Sequence, residues 1–456
     1  MKSRMLIVLT VVALVTLIVG CAPPTPERVV EEKVVEKPVI QTVVVEKEKV
    51  VEKPVIQTVV VEKEVPVEKE VIKEVVITPT PQTGVLAEIT PEQRAWLEAA
   101  QLGPFAPATE DWDAVYEAAK KEGKVVVYSS SSRIFDIAET FQAAYPGITV
   151  EGYDITAPDL ILKVKAEQNA GIHNADVIFV GDPPTVIPEL VKRHLVWNFV
   201  PPELVDVIPE DWREPVLMHH FGMKVICYNS EIYDKAPVDN WWDLTREEWK
   251  GRVIFKDPFE SGEIFNLFSM MVKNADIMAQ AYEEEFGKPI ELDEDCPTAG
   301  HQWIKDLIEN EVVLTASDGD ASEAVGTKGQ TEAPIGFFAY SKYRDVLKGK
   351  LAFEAALDAK PMAGVATGTT LSIANLAPHP NAAKLMVLWY MGDEEGGKGF
   401  EPYHVPGDLP TRTDMALPEG MFGIDVAREV LWDLDYDWCY LNLPDIRDFW
   451  TIHLQE

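Results

Sequence analysis

Aromatic side chains are missing altogether from residues 22 to 90, in a chain that elsewhere carries 12 Trp, 13 Tyr and 17 Phe. Without them that segment has little from which to build a core. Cysteine is scarce, four in 456 residues, and forms no CxxC or metal-ligand spacing, which excludes a disulfide scaffold and a zinc ribbon. Positive charge is short: 41 Lys and Arg stand against 76 Asp and Glu, a net charge of -35. A body this acidic repels phosphate backbones, so nucleic acid is not an expected partner. No G-x-S-x-G elbow, P-loop or HExxH motif occurs, so the familiar hydrolase, nucleotide and zinc-protease signatures are absent and no enzyme is expected.

Long apolar runs are also few, and the conspicuous one is N-terminal. Lys2 and Arg4 precede an apolar stretch from Met5 to Val19, which ends in Ile18-Val19-Gly20-Cys21. Fifteen residues are short for a span, which needs about 20, and the pattern is that of a signal segment with a lipobox. Residues 1–20 are therefore expected to be removed, leaving Cys21 as the lipidated N-terminus. Two or three acyl chains there, at about 0.8 kcal/mol per buried methylene, would hold the protein to the outer face of the cytoplasmic membrane.

Residues 21–90 read as a stalk. "VVEKPVIQTVVVEKE" occurs at Val34 to Glu48 and again at Val50 to Glu64, a repeat of 16 residues, with a decayed third copy after it. Sixteen is not a multiple of seven, and the prolines at 38, 54, 66, 79 and 81 interrupt any long helix. Valine favours extended backbone, Glu and Lys keep it hydrated, and a coil of this length reaches about 45 Å. The competing reading is self-association of the valine-rich repeats into strands or a bundle.

From Thr90 onward helices and strands alternate. Thr90-Pro91 opens one helix as N-cap and first residue, and "TEDWDAVYEAAKKEG" forms a second that stops at Gly123. "KVVVYSSSS", "ITVEGYD" and "ADVIFVGDPP" are strands separated by the helical segments "RIFDIAETFQAAYPG" and "APDLILKVKAEQNAG". Two of the three strands are continuous apolar runs, which indicates a parallel sheet covered on both faces, an α/β fold.

The segments "YEAAKKEGKVVVYSS", "ADVIFVGD", "KVICYNSEIYDKAPVDNWWDLTREEWKGRVIFKDPFESG", "APHPNAAKLMVLWYM" and "PTRTDM" run in the order and rough spacing of type II extracellular solute-binding proteins. The chain resembles this family from about Asp111 to Ala416, and within it the ferric-iron and phosphonate branch that serves ABC importers. The resemblance implies a two-lobed, periplasmic-binding-protein-like type II fold with two interlobe crossovers, preceded here by signal peptide and stalk. Residues 91–228 would form the first part of lobe 1, 229–360 lobe 2, and 361–456 the return to lobe 1 with the C-terminal helices. "KVICYNS" is the expected first crossover, and the return falls near Lys360 to Thr370. The helix of "APHPNAAKLMVLWYM" is expected to take Asn381 as its N-cap. The implied function is capture of a small solute between the lobes and its delivery to an ABC permease with a cytoplasmic ATPase, by a monomer without catalytic turnover. A ferric-binding member, a sensory or adhesive lipoprotein, and an enzyme on a similar scaffold remain alternatives.

Four places are candidates for the site. Ser129, Ser130, Ser131 and Ser132 follow a strand and precede a helix, where hydroxyls and backbone N–H groups can meet an anion with Arg133 as counter-charge; the alternative is N-capping by one serine. Asp182, after Gly181 at the next strand end, can receive a cation or hydroxyls, or can simply belong to a Gly-Asp-Pro-Pro turn. Ser261 and Gly262 open a helix whose N-terminus offers donors to an anion, or Ser261 only caps it. Tyr340 falls where ferric-binding relatives carry paired tyrosines, but Ser341 follows it and the family's histidine position falls in the serine loop. No resident cofactor is expected; Fe(III) would depend on Tyr340 and Asp182, and otherwise Tyr340 contacts an organic ligand or packs in the core. Trp241-Trp242 are read as packing, His219-His220 as no zinc site, and "SDGDASE" (Ser317 to Glu323) as an acidic loop at the cleft rim or in solvent.

Overall fold

A computed structural model describes residues 88–455. The signal segment, Cys21 and the repeats up to residue 87 lie outside the described residues. The first helix, Pro91–Ala100, begins as its sequence demands: the Thr90 hydroxyl accepts from Gln93 N at 3.1 Å, and Gln93 Oε1 accepts from Thr90 N at 2.9 Å. Helix Trp112–Glu122 is capped by Asp111 and closed by Gly123 in the left-handed region.

Strands β1 (Lys124–Ser129), β2 (Thr149–Asp154) and β3 (Val177–Gly181) then pair in parallel in the order β2-β1-β3, joined by helices Ile134–Ala144 and Ala157–Asn169. After β4 (Val196–Trp197) comes the long β5 (Leu217–Tyr228), then β6 (Val253–Lys256), β7 (Val313–Thr315), β8 (Ile335–Ala339) and β9 (Glu354–Ala355). The second long strand is β10 (Gly364–Ala374), followed by β11 (Asp408–Pro410) and β12 (Leu431–Trp432). The main sheet path is β2-β1-β3-β10-β5-β8-β6-β7. One end of β10, Thr369 to Ile373, pairs with β3, while the far end of β5, Lys224 to Cys227, pairs with β8. These antiparallel partners are the two crossovers. The first starts seven residues before the expected Lys224, and the return lies at Gly364, inside the expected window.

Each lobe has its own core. Phe141, Phe179, Leu371, Met386 and Tyr390 are fully enclosed in the first, and Trp241, Trp242, Phe255, Phe268 and Trp303 in the second. Trp241 and Trp242 are scaffold, their indole N–H groups donating to the carbonyls of Met362 and Met278. The C-terminal stretch does not stay with lobe 1. Strand β12 pairs with the lobe-2 end of β10, and helix Tyr436–Gln455 then lies on the second lobe, where Trp450 meets Phe268 at 5.2 Å. The chain thus crosses between lobes three times.

Two local expectations differ. "SDGDASE" is not a loop: Ser317 caps a helix, Asp318–Gly326, by accepting from Asp320 N at 3.1 Å. Helix Pro380–Tyr390 begins before Asn381, and the carboxylate of Glu122 caps it instead, accepting from Asn381 N at 3.2 Å and Ala382 N at 2.8 Å. Cys227, Cys296 and Cys439 are buried free thiols.

Candidate functional site

The ends of β1, β3 and β11 in lobe 1 face the starts of two helices and the end of β8 in lobe 2. The serine loop after β1 is partly self-satisfied. Ser129 is fully buried, its hydroxyl accepting from Ser131 N at 3.0 Å and donating to Ser131 O at 2.9 Å. The Ser130 hydroxyl accepts from Gly181 N at 3.2 Å, which ties the loop to β3. Ser131 is half-buried and Ser132 exposed. Arg133 reaches across the cleft. It pairs with Asp408 of β11, donates to the Ser341 hydroxyl of lobe 2 at 3.0 Å, and lies over the Tyr403 ring at 4.4 Å. Burial disfavours its charge, yet Asp408 outweighs burial and holds the guanidinium protonated.

Asp182 sits at φ 70°, a left-handed conformation that aspartate tolerates, and its carboxylate accepts from Asn266 Nδ2 of lobe 2 at 2.8 Å. A methyl group on Gly262 would lie 2.5 Å from Asp182 Oδ2, so only glycine lets the start of helix Gly262–Lys273 come this close. An internal carboxylate therefore stands at the helix N-terminus where an external anion was expected. Burial, with Glu263 nearby, pushes the Asp182 carboxyl up, against hydrogen bonds from Asn266 and Thr185. Ser261 occupies the N-cap position without capping; its hydroxyl faces Glu263 at 3.3 Å.

The floor of the cleft holds a lysine that sequence reading passed over. Lys224, 3 % exposed in β5, meets Asp318 at 2.7 Å and Glu263 at 3.0 Å, each at the first turn of a lobe-2 helix. Burial pushes the Asp318 carboxyl up, but Lys224 and Lys256 outweigh it and hold it at about 2. The available signal was a lone charge in the apolar run "GMKVICY", which requires buried partners.

Tyr340 follows β8 but points elsewhere. Its ring lies 5.1 Å from that of Tyr343 and near Phe353, and burial together with Glu354 raises its hydroxyl pKa. Asp182, with Asn266 as its partner, is in a different set of contacts, so the structure does not bring these two together. Gly407, at φ 94°, lets lobe 1 touch this segment: a Cβ there would stand 2.6 Å from Ser341 N.

His219 and His220 lie at a β-bulge opposite Thr369 and Thr370, which turns consecutive side chains toward each other. His219 Nε2 donates to Tyr390 O at 2.8 Å, so its Nδ1 accepts from His220 Nδ1 at 2.8 Å. Burial and Arg133 lower His220 to about 3, so this pair is neutral scaffold at the cleft floor.

Residues 136–423 match the family of bacterial extracellular solute-binding proteins, and the chain belongs to that family. It binds a solute. Solved structures share the fold. Iron-bound HitA from Pseudomonas aeruginosa is 17% identical with a TM-score of 0.56, over 72% of this chain and 99% of that one. AfuA from Actinobacillus pleuropneumoniae, with bound fructose-6-phosphate, is 20% identical with a TM-score of 0.55, over 73% and 99%. A substrate-binding protein of an ABC transporter from Agrobacterium tumefaciens is 16% identical with a TM-score of 0.52, over 73% and 94%. No curated protein sequence matches significantly.

Proposed function

We propose that this chain is the receptor of an ABC importer, taking a small solute between its lobes and passing it unchanged to a permease driven by a cytoplasmic ATPase. The observation that carries this reading is the seam between the lobes. Polar groups from both lobes, charged Arg133 and Asp182 on one side and neutral Asn266 and Ser341 on the other, meet across a seam spanned by β5 and β10. A pair of rigid halves on such strands can close around a solute and present a closed surface. Kinship in fold with an ABC-transporter component supports the partner. The receptor acts without catalysis and as a monomer.

Cys21, acylated, anchors the receptor to the outer face of the cytoplasmic membrane, and residues 22–90 supply the reach to the permease. Ser130, Ser131, Ser132, Arg133 and Asp182 form the lobe-1 side of the site, and Ser261 and Gly262 the lobe-2 side. Tyr340 supports the site from behind, because its ring faces Tyr343 and Phe353. This disposition favours an organic solute over a directly ligated ferric ion.

The Cys21→Ser protein should leave the membrane fraction while keeping its thermal response to solute. Solute recovered after incubation should be chemically intact by mass spectrometry. Retention of the variant in membranes would contradict the anchor, and a new product would contradict the receptor reading.

A further inference from the structure

Three cations gather at one end of the cleft in a chain whose net charge is -35. Arg133 comes from lobe 1; Lys342 and Arg344 come from the turn after β8 in lobe 2. Nearby carboxylates already have partners: Asp408 takes Arg133, Asp318 and Glu263 take Lys224, and Asp345 takes Lys350. Neither Lys342 nor Arg344 belongs to any ion pair among the described residues, and Arg344 only donates to Ser341 O, at 2.9 Å. Burial lowers the pKa of Lys342, with Arg344 and Arg133 adding to it against the opposing pull of Asp318 and Asp345; burial and Arg133 lower Arg344 against Asp345 and Asp408. Half-buried like charges that press on one another are unfavourable in the unliganded protein.

A second, independent feature marks the same spot. Tyr403 is 1 % exposed, lies under the Arg133 guanidinium, and its hydroxyl faces that of Ser131 without making a hydrogen bond of good geometry. A buried hydroxyl left unpaired in this way is a donor awaiting an acceptor.

We infer that the solute is a small organic anion carrying a phosphate or carboxylate group, and that Lys342 and Arg344 bind that group from lobe 2 while Arg133 and the Tyr403 hydroxyl bind it from lobe 1. This rests on the receptor reading and specifies its solute class. The oxyanion would neutralise Lys342 and Arg344, which have no ion pair among the described residues, add a second partner to Arg133 and satisfy the tyrosine, and it would do so only when both lobes contribute, so recognition and closure become the same event.

The test is a thermal melt of the whole purified protein with inorganic phosphate, glycerol 3-phosphate, citrate, spermidine and glucose. At least one of the three anions should raise the melting temperature. The double variant Lys342→Gln, Arg344→Gln should weaken that anion at least tenfold without lowering the unliganded melting temperature, a combination that a merely structural role would not produce. Lys342→Arg, which keeps the charge, should retain binding. Stabilisation by spermidine or glucose alone, anion binding undiminished in the double variant, or no response to any of the three anions each overturns the inference. Spermidine or glucose binding would leave the receptor reading standing. That reading falls on a separate result, lobes that stay fixed while a solute is bound.

Discussion

At the scale of single residues, the cleft floor depends on Lys224. Its ammonium is enclosed between Asp318 and Glu263, and removing it strands two carboxylates in a site built to neutralise them. Breaking a buried pair from one side costs about 3–5 kcal/mol. Lys224→Met should destabilise the protein by about 3 kcal/mol in chemical denaturation, and a loss under 1 kcal/mol would show the pair to be idle. The pH dependence follows from the carboxyl whose pKa is held at about 2, below its ordinary 3.8. A depressed carboxyl stabilises the fold above its unfolded value, so this contribution is present above pH 3.8 and is lost as pH falls toward 2. Asp318→Asn should flatten that part of the acid limb. Little of this was legible beforehand: the serine loop, Arg133, Asp182 and Gly262 can be singled out from strand ends and helix starts. Asp408 and Tyr403 could not, and Lys224 showed only as a lone charge in an apolar run, because their partners lie tens to hundreds of residues away in the chain.

At the scale of elements, local rules sufficed wherever the chain satisfies its own ends. The Thr90 capping box and the Gly123 stop are complete within a few residues and appear in the structure as written in the sequence. Helix Pro380–Tyr390 was legible, but its cap was not, because the cap comes from Glu122, 259 residues from Asn381. Acidic composition concealed the helix at Asp318, whose carboxylates serve as a first turn rather than a solvated loop. The last helix offered no sequence sign of which lobe it would cover. The distant cap gives a direct check: Glu122→Ala frees the N–H groups of Asn381 and Ala382 and should cost about 1–2 kcal/mol by denaturant titration. An unchanged midpoint would mean that water or the Asn381 side chain replaces it.

At the scale of the whole molecule, a continuous sheet links two separately packed cores through β5 and β10, with β12 adding a third passage. The resemblance in sequence foretold the two long crossovers; the third was not foreseen, since Leu431–Trp432 is two residues of pairing. Side chains now meet across the seam at Arg133–Ser341 and Asp182–Asn266, so relative movement of the cores must break and remake named contacts. Spin labels can read that movement. Leu162, 62 % exposed on the lobe-1 helix Ala157–Asn169, and Ile277, 44 % exposed on the lobe-2 helix Ala275–Phe286, tolerate cysteine, and the native Cys227, Cys296 and Cys439 are buried. The measurement is the label-to-label distance in the Leu162→Cys, Ile277→Cys, Cys21→Ser chain, by pulsed electron resonance, before and after saturation with whichever probe raises the melting temperature. Capture between hinged lobes predicts a shorter and narrower distribution with the solute bound. An identical distribution in both samples would contradict it.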